Sequence, residues 1–277
     1  MEHRVRKKQL GALALTAALA VATPLGALAQ PDDNALRLSL GYDGKLLFKV
    51  LDIQVEARAN AQGFSATSRL VSYGVLRAFK HVDQRASSQG RMAGGAPEPG
   101  VFETQNMGGK THRRMRVVWS ARDVAMIADP PFANLGDPPA TREQALAAAD
   151  PLTQLMRITF GASRERTCAR SYLFFDGKQL YDLDFANARD GTPGAREKRL
   201  GLTHMFRCDV RFREIAGFGK KPAARRNQGL ERPINVDFAE IGDEGVWVLS
   251  GLHAQTPLGW AAIELSRMSL AGRVPKL

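Results

Sequence analysis

Apolar and polar residues alternate along much of this chain. In L-D-I-Q-V-E-A-R (51–58), Leu51, Ile53 and Val55 share one side and Asp52, Gln54, Glu56 and Arg58 the other. F-R-C-D-V-R-F-R (206–213) sets Phe206, Cys208, Val210 and Phe212 against Arg207, Asp209, Arg211 and Arg213, and I-N-V-D-F (234–238) repeats the theme. Period-two alternation predicts strands with one dry and one wet face, as in antiparallel sheets. Further strands are expected near 36–48, 63–72, 81–89, 101–107, 111–119, 122–128, 167–175, 179–186, 245–254 and 259–268. Asp43-Gly44 and Asp176-Gly177 read as hairpin turns, where Gly and Asp accept positive φ.

Helix is scarce. T-R-E-Q-A-L-A-A-A-D (141–150) opens on Thr141 as an N-cap with Gln144 three residues on. A second helix starts at Asp150-Pro151, with Asp150 as cap and proline in the first turn. Leu152, Leu155 and Met156 fall on one face of it, which fits either a plug or lid over a curved sheet or an ordinary packing helix. Segments 92–100, 128–139, 188–199 and 219–228 read as surface loops from their Gly, Pro and charge content. About a dozen strands with two short helices predict an all-β fold: one antiparallel sheet curved into an open or spiralled β-barrel.

The N-terminus changes the picture. Arg4, Arg6, Lys7 and Lys8 precede an apolar run from Leu10 to Ala22, then Pro24, Gly26 and the small-x-small Ala27-Leu28-Ala29. These are the parts of a cleaved secretory signal, and the run is too short for the roughly 30 Å of bilayer hydrocarbon. Gln30 would begin the remainder, so no lipidated cysteine is expected there. The expectation is an exported, soluble periplasmic protein: signal 1–29, then one β domain over 30–277. The full chain has 39 basic and 28 acidic residues. Four basic residues and Glu2 fall in the signal, leaving an excess of eight positive charges. Such a protein meets anionic lipid or cell-wall surfaces readily, and nucleic acid is not an expected partner outside the cytoplasm.

Catalytic signatures are missing: the sequence has no G-x-S-x-G, H-E-x-x-H, C-x-x-C, S-x-x-K or G-x-x-x-x-G-K. His81, His112, His204 and His253 have no metal-ligand spacing, so neither metal nor cofactor is expected. His204 and Cys208 share strand parity but stand about 13 Å apart, beyond hydrogen-bond reach. Asp182 and Asp184 share a strand face, as an acid–base or cation pair would, although a solvated face is the commoner reason. Lys220, Lys221, Arg225 and Arg226 form a basic run able to touch an anionic surface. Cys168 and Cys208 are the only cysteines. In an exported chain they most simply form one disulfide, with a reactive thiol as the alternative.

The signal, D-P-L-T (150–153), C-A-R-S-Y-L-F-F-D-G-K-Q-L-Y-D-L-D-F (168–185) and C-D-V-R-F-R-E-I-A-G-F (208–218) together resemble the exported bacterial proteins grouped as domain of unknown function 3108. The resemblance spans about residues 36–268. It implies a periplasmic open barrel of no established activity, with Cys168 and Cys208 at the positions of a cysteine pair. Similar open barrels with internal helices carry lipids or lipoproteins in the envelope. The functional expectation is therefore a non-enzymatic envelope protein that binds an apolar ligand (a lipid or acyl chain) or a protein partner in the concave face. A thiol-dependent or other hydrolase using Cys168 or Cys208, and a purely structural interaction domain, are the alternatives.

Overall fold

A computed structural model describes residues 35–108, 111–219, 233–242, 245–256 and 259–272. The expected signal and the basic run of Lys220, Lys221, Arg225 and Arg226 lie outside the described residues.

Seven strands come first: β1 (Leu36–Lys45), β2 (Lys49–Ala59), β3 (Gly63–Ser72), β4 (Asp83–Ala93), β5 (Ala96–Asn106), β6 (Arg114–Trp119) and β7 (Val124–Asp129), with helix α1 (Gly74–Phe79) after β3. Three helices follow: α2 (Arg142–Ala147), α3 (Pro151–Gly161) and α4 (Arg164–Thr167). Then come β8 (Arg170–Phe175), β9 (Leu180–Gly191), α5 (Ala195–Arg199), β10 (Leu202–Ala216), β11 (Ile234–Ile241), β12 (Trp247–Thr256) and β13 (Gly259–Ala271).

All thirteen strands belong to one antiparallel sheet in the order β7-β6-β5-β4-β3-β2-β1-β13-β12-β11-β10-β9-β8. Two meanders, β1–β7 and β8–β13, are thus fused where β1 pairs with β13. No β7–β8 ladder forms among the described residues, so the barrel is open along that seam, as the alternation predicts. Helix α2 packs against β7 on one side of it, and the α2–α3 connection covers β8 on the other. Backbone bonds from Ala149 N to Leu173 O and from Phe175 N to Ala149 O complete the edge of β8. Covering an edge in this way removes a template for aggregation.

Helix α3 lies inside, packed against β3, β4 and β5 and against β8 and β12. Leu152, Thr153, Gln154, Met156, Ile158 and Thr159 are all buried, so almost its whole circumference is dry. The sheet makes room for it with small inward residues. One register row reads Ala57–Ala66–Ser88–Phe102–Val117–Met126 across β2 to β7. Asp150 caps the helix as expected: Oδ1 accepts from the amides of Leu152 (3.0 Å) and Thr153 (2.9 Å). Its Oδ2 accepts from the hydroxyls of Ser88 (3.1 Å) and Thr153 (2.5 Å), which ties the cap to β4. Thr141 and Gln144 form the capping box of α2.

Several local expectations are corrected. Asp43-Gly44 is not a turn. β1 runs on to Lys45, Gly44 pairs with Leu51, and the chain reverses at Leu46–Phe48. A Cβ at Gly44 would press on the Leu51 side chain, so this glycine serves close strand approach. The expected loop 92–100 is mostly strand, because Gly94 and Gly95, both at positive φ, reverse the chain in two residues. Pro99 sits where the β4–β5 register shifts, a place that tolerates a missing N–H donor. Within 188–199, β9 continues to Gly191 and α5 follows. α1, α4 and α5 were not expected beyond the two helices read from the sequence.

Candidate functional site

The row next to the helix-bearing one reads Val55–Ser68–Ala86–Thr104–Met115–Ala128, and the one beyond it Ile53–Leu70–Gln84–Asn106. Ser68, Ala86 and Thr104 are short, and α3 begins only at Pro151, one level away. The space left over is a cavity of about 470 Å³. Ile53, Leu70, Phe102, Met115 and Leu152 supply its apolar walls, and Gln84, Thr104 and Asn106 its polar positions.

The opposite wall comes from the β8–β9 hairpin through Asp176, Lys178, Gln179 and Tyr181. Here Asp176-Gly177 does turn the chain: the Asp176 carboxylate accepts from the amides of Lys178 (2.9 Å) and Gln179 (2.7 Å). Gly177 has φ 96°, and a Cβ there would collide with Met115 and Val117 of β6. The turn therefore closes across the open seam because it carries no side chain at that point. Burial pushes the Asp176 carboxyl upward against those two amide bonds, and burial also raises the Tyr181 phenol.

The mouth is cationic. Phe132, from the segment after β7, is flanked by the Arg113 guanidinium at 4.2 Å and the Lys178 ammonium at 5.2 Å from its ring centre. Arg113 is held there by donating to the carbonyls of Pro130 (2.8 Å) and Pro131 (3.3 Å). Two positive charges over one ring at the rim of an apolar hollow suit a ligand with an anionic head and an apolar tail. Two other hollows of similar size are more strongly charged. One, of about 530 Å³, is lined by Arg85, Glu103, Arg114, Arg116 and Asp129. The other, of about 540 Å³, is lined by Arg91, Glu98 and Arg157 beside Trp119.

The structure disperses most residues singled out in the sequence. Cys168 and Cys208 are joined in a disulfide with Cα atoms 5.4 Å apart, inside an apolar cluster with Phe185, Phe206, Val210 and Phe238. Leu152 and Met156 are buried and Leu155 partly so, on a helix inside the barrel. Only Leu152 of the three lines the cavity. Asp182 and Asp184 do not form a solvated pair. Asp182 is buried and takes the Arg213 guanidinium, while Asp184 accepts from Ser171 at 2.7 Å. His204 meets Glu240 at 3.1 Å and His253 meets Asp237 at 3.4 Å. Among the described residues no group of three or more His, Cys, Asp or Glu is placed to hold a metal, and no helix is long and apolar enough to cross a membrane.

Arg113, Phe132 and Lys178 went unread in the sequence because they meet only through the register of the meander and the tilt of the second hairpin. The legible signal was the run of short inward residues Ser68, Ala86 and Thr104 on consecutive strands, which marks a place the sheet itself does not fill.

No protein-family model matches the chain, and no curated protein matches its sequence. Among solved structures it is similar to the crystal structure of a β-barrel-like protein of domain of unknown function DUF1849 from Brucella abortus. The TM-score is 0.51 at 10% identity, over 85% of this chain and 98% of that one. At that identity the likeness shows the fold, a β-barrel-like domain, and does not extend to domain of unknown function 3108.

Proposed function

We propose that the protein is a non-enzymatic, exported component of the cell envelope that holds an acyl-chain ligand with an anionic head in the cavity beside α3. The observation that carries this reading is the cavity itself: about 470 Å³, apolar in its walls, with Arg113 and Lys178 sharing the Phe132 ring at its mouth. Small-molecule sites in general fall in the range of roughly 300–1,000 Å³ and combine apolar walls with a few placed polar groups. Export is supported by the signal-like residues 1–29 and by the disulfide, which persists in oxidising compartments.

The hydrolase alternative needs a thiolate, and the bridge uses both sulfurs. The interaction-domain alternative needs no ligand at all. Native mass spectrometry of protein purified from its host, followed by titration of the delipidated protein with a fluorescent fatty acid, tests the proposal. Ala86→Trp, which fills the cavity from β4, should lower fatty-acid affinity at least about tenfold. No retained lipid together with equal fatty-acid binding by wild type and Ala86→Trp would remove the cavity from consideration.

A further inference from the structure

The end of the sheet at which this cavity opens also carries an apolar tip. The β1–β2 turn is Leu46-Leu47-Phe48, with Leu47 95% and Phe48 53% exposed. Lys45 pairs with Ala262 on one side and Lys49 on the other, so the start of β13 lies next to it, bringing Trp260, 63% exposed. On the other flank the Tyr73 amide donates to Val50 O at 2.7 Å, and Tyr73 is 53% exposed beneath the Lys49 ammonium, 5.0 Å from its ring centre. Four large apolar or aromatic side chains thus stand on neighbouring strand ends, where one exposed at a turn would need no explanation.

Their charge surroundings are one-sided. Among the described residues, the acidic groups flanking the tip are paired with cations, Asp43 and Asp52 sharing Lys49 and Asp52 also meeting Arg267 at 3.4 Å. Lys49 sits 2.8 Å from Asp43 and 2.7 Å from Asp52, Lys45 sits 2.7 Å from Glu264, and Arg69 sits 2.9 Å from Asp83. Arg77 of α1 and Lys80 just after it are exposed and meet no acidic partner among the described residues. The surplus at this end is positive.

We propose that this tip is a docking surface for an anionic lipid bilayer. Leu47 and Phe48 enter the head-group boundary, Trp260 and Tyr73 lie at the interface where amphipathic rings partition, and Arg77 and Lys80 face lipid phosphates. The geometry also gives docking a consequence. Ile53 and Leu70, which pair with each other on β2 and β3, line the cavity only one inward position beyond the Leu51–Ser72 pair at the tip. A protein seated on the bilayer by Leu47 and Trp260 has the cavity entrance at the membrane side. The docking surface stands on its own observations and does not depend on the cavity holding a ligand.

The test is flotation of the protein with phosphatidylcholine vesicles and with phosphatidylcholine–phosphatidylglycerol vesicles. Wild type should float with the anionic vesicles and less with the neutral ones. Leu47→Asp with Phe48→Asp, both exposed and so compatible with folding (checked by circular dichroism), should weaken recovery at least about tenfold. Lys80→Gln should weaken it about fivefold on anionic vesicles only. Brominated lipid should quench tryptophan emission in wild type and not in Trp260→Phe, since Trp119 is buried and the partly buried Trp247 starts β12 at the end away from the tip. Ala86→Trp should float like wild type, so failure of the cavity reading and failure of docking are separable. Recovery unchanged by the double substitution, or no recovery on either vesicle, would overturn the proposal. So would self-association that the double substitution abolishes, because it assigns the tip to a contact between chains.

Discussion

The two meanders of the sheet use their inward positions in opposite ways. In β8–β13 the rings form a continuous chain: Tyr172 to Phe185 at 5.2 Å, Phe185 to Phe238 at 6.2 Å, Phe238 to Phe206 at 5.1 Å and Phe206 to Trp247 at 4.9 Å. The disulfide crosses this same cluster. In β2–β5 the matching positions are mostly short, Ala57, Ala66, Ser68, Ala86, Ser88 and Thr104, with Val55 and Phe102 the larger exceptions in the same rows. Both halves pack on α3, whose Ile158 joins the aromatic cluster, but the first half also leaves space open beside the helix. Close packing confers stability and uniqueness, so the C-terminal meander is expected to carry the stability and the N-terminal one the binding.

Truncations give the largest contrast. Phe238→Ala, in the ring chain, should cost about 3–5 kcal/mol, because neighbours on a rigid sheet cannot collapse into the void. Leu70→Ala, on a wall that already borders empty space, should cost only about 1–2 kcal/mol. Urea unfolding of both variants measures the difference, and equal losses would break the division of labour. Next comes the bridge. It closes a segment of sequence separation 40, which constrains the unfolded chain by about 4 kcal/mol in the entropy account. Replacing both cysteines with serine should lower the urea midpoint accordingly while leaving fatty-acid affinity unchanged. A loss of affinity comparable to that of Ala86→Trp would show that the two halves are not separable.

Two buried carboxylates extend the contrast to electrostatics. Asp237, on β11, is buried, which alone would raise its pKa. Hydrogen bonds from His253 and from Arg207 (2.5 and 2.7 Å) win and hold it at about 2. A depressed carboxylate adds stability that is complete above its unfolded value of about 3.9 and fades as pH falls through about 2. Asp237→Asn should therefore cost about 2 kcal/mol at neutral pH and flatten the acid limb of the stability profile between pH about 4 and about 2. Unfolding measured across that window checks both parts.

The alternation made the strands and the one-sided core legible, and the cap residues Thr141 and Asp150 made the starts of two helices legible. The sites were harder, for physical reasons. Leu46-Leu47-Phe48 continues the apolar rhythm of β1, so it reads as strand until the pairing of Gly44 with Leu51 moves the turn outward and exposes it. The Arg113–Phe132–Lys178 group is assembled from three separate connections, and alternation says nothing of how connections meet across an open seam. Asp182 has the parity of a wet-face residue, yet Arg213 makes its burial tolerable, and that partnership depends on the β9–β10 register.

The smallest effect expected is at Asp150, and its sign runs opposite to that of Asp237. Burial raises its pKa, and the donors around it, the hydroxyls of Ser88 and Thr153 and two amides, are neutral and offset burial only in part. A raised carboxylate favours the protonated folded state, so the stability it contributes is present below the unfolded value and lost as pH rises through the folded one. Asp150→Asn keeps a residue suited to capping, and the two hydroxyls can rotate to match the amide. Its cost at neutral pH should stay within about 1 kcal/mol, and the decline with rising pH should vanish. Asp150→Ala removes the cap and the link to β4 together and should cost about 2 kcal/mol. If asparagine proves as damaging as alanine, the charge itself holds α3 in place, and the half-buried Arg157, whose guanidinium donates to Pro97 O at 2.7 Å, becomes the group through which that charge acts.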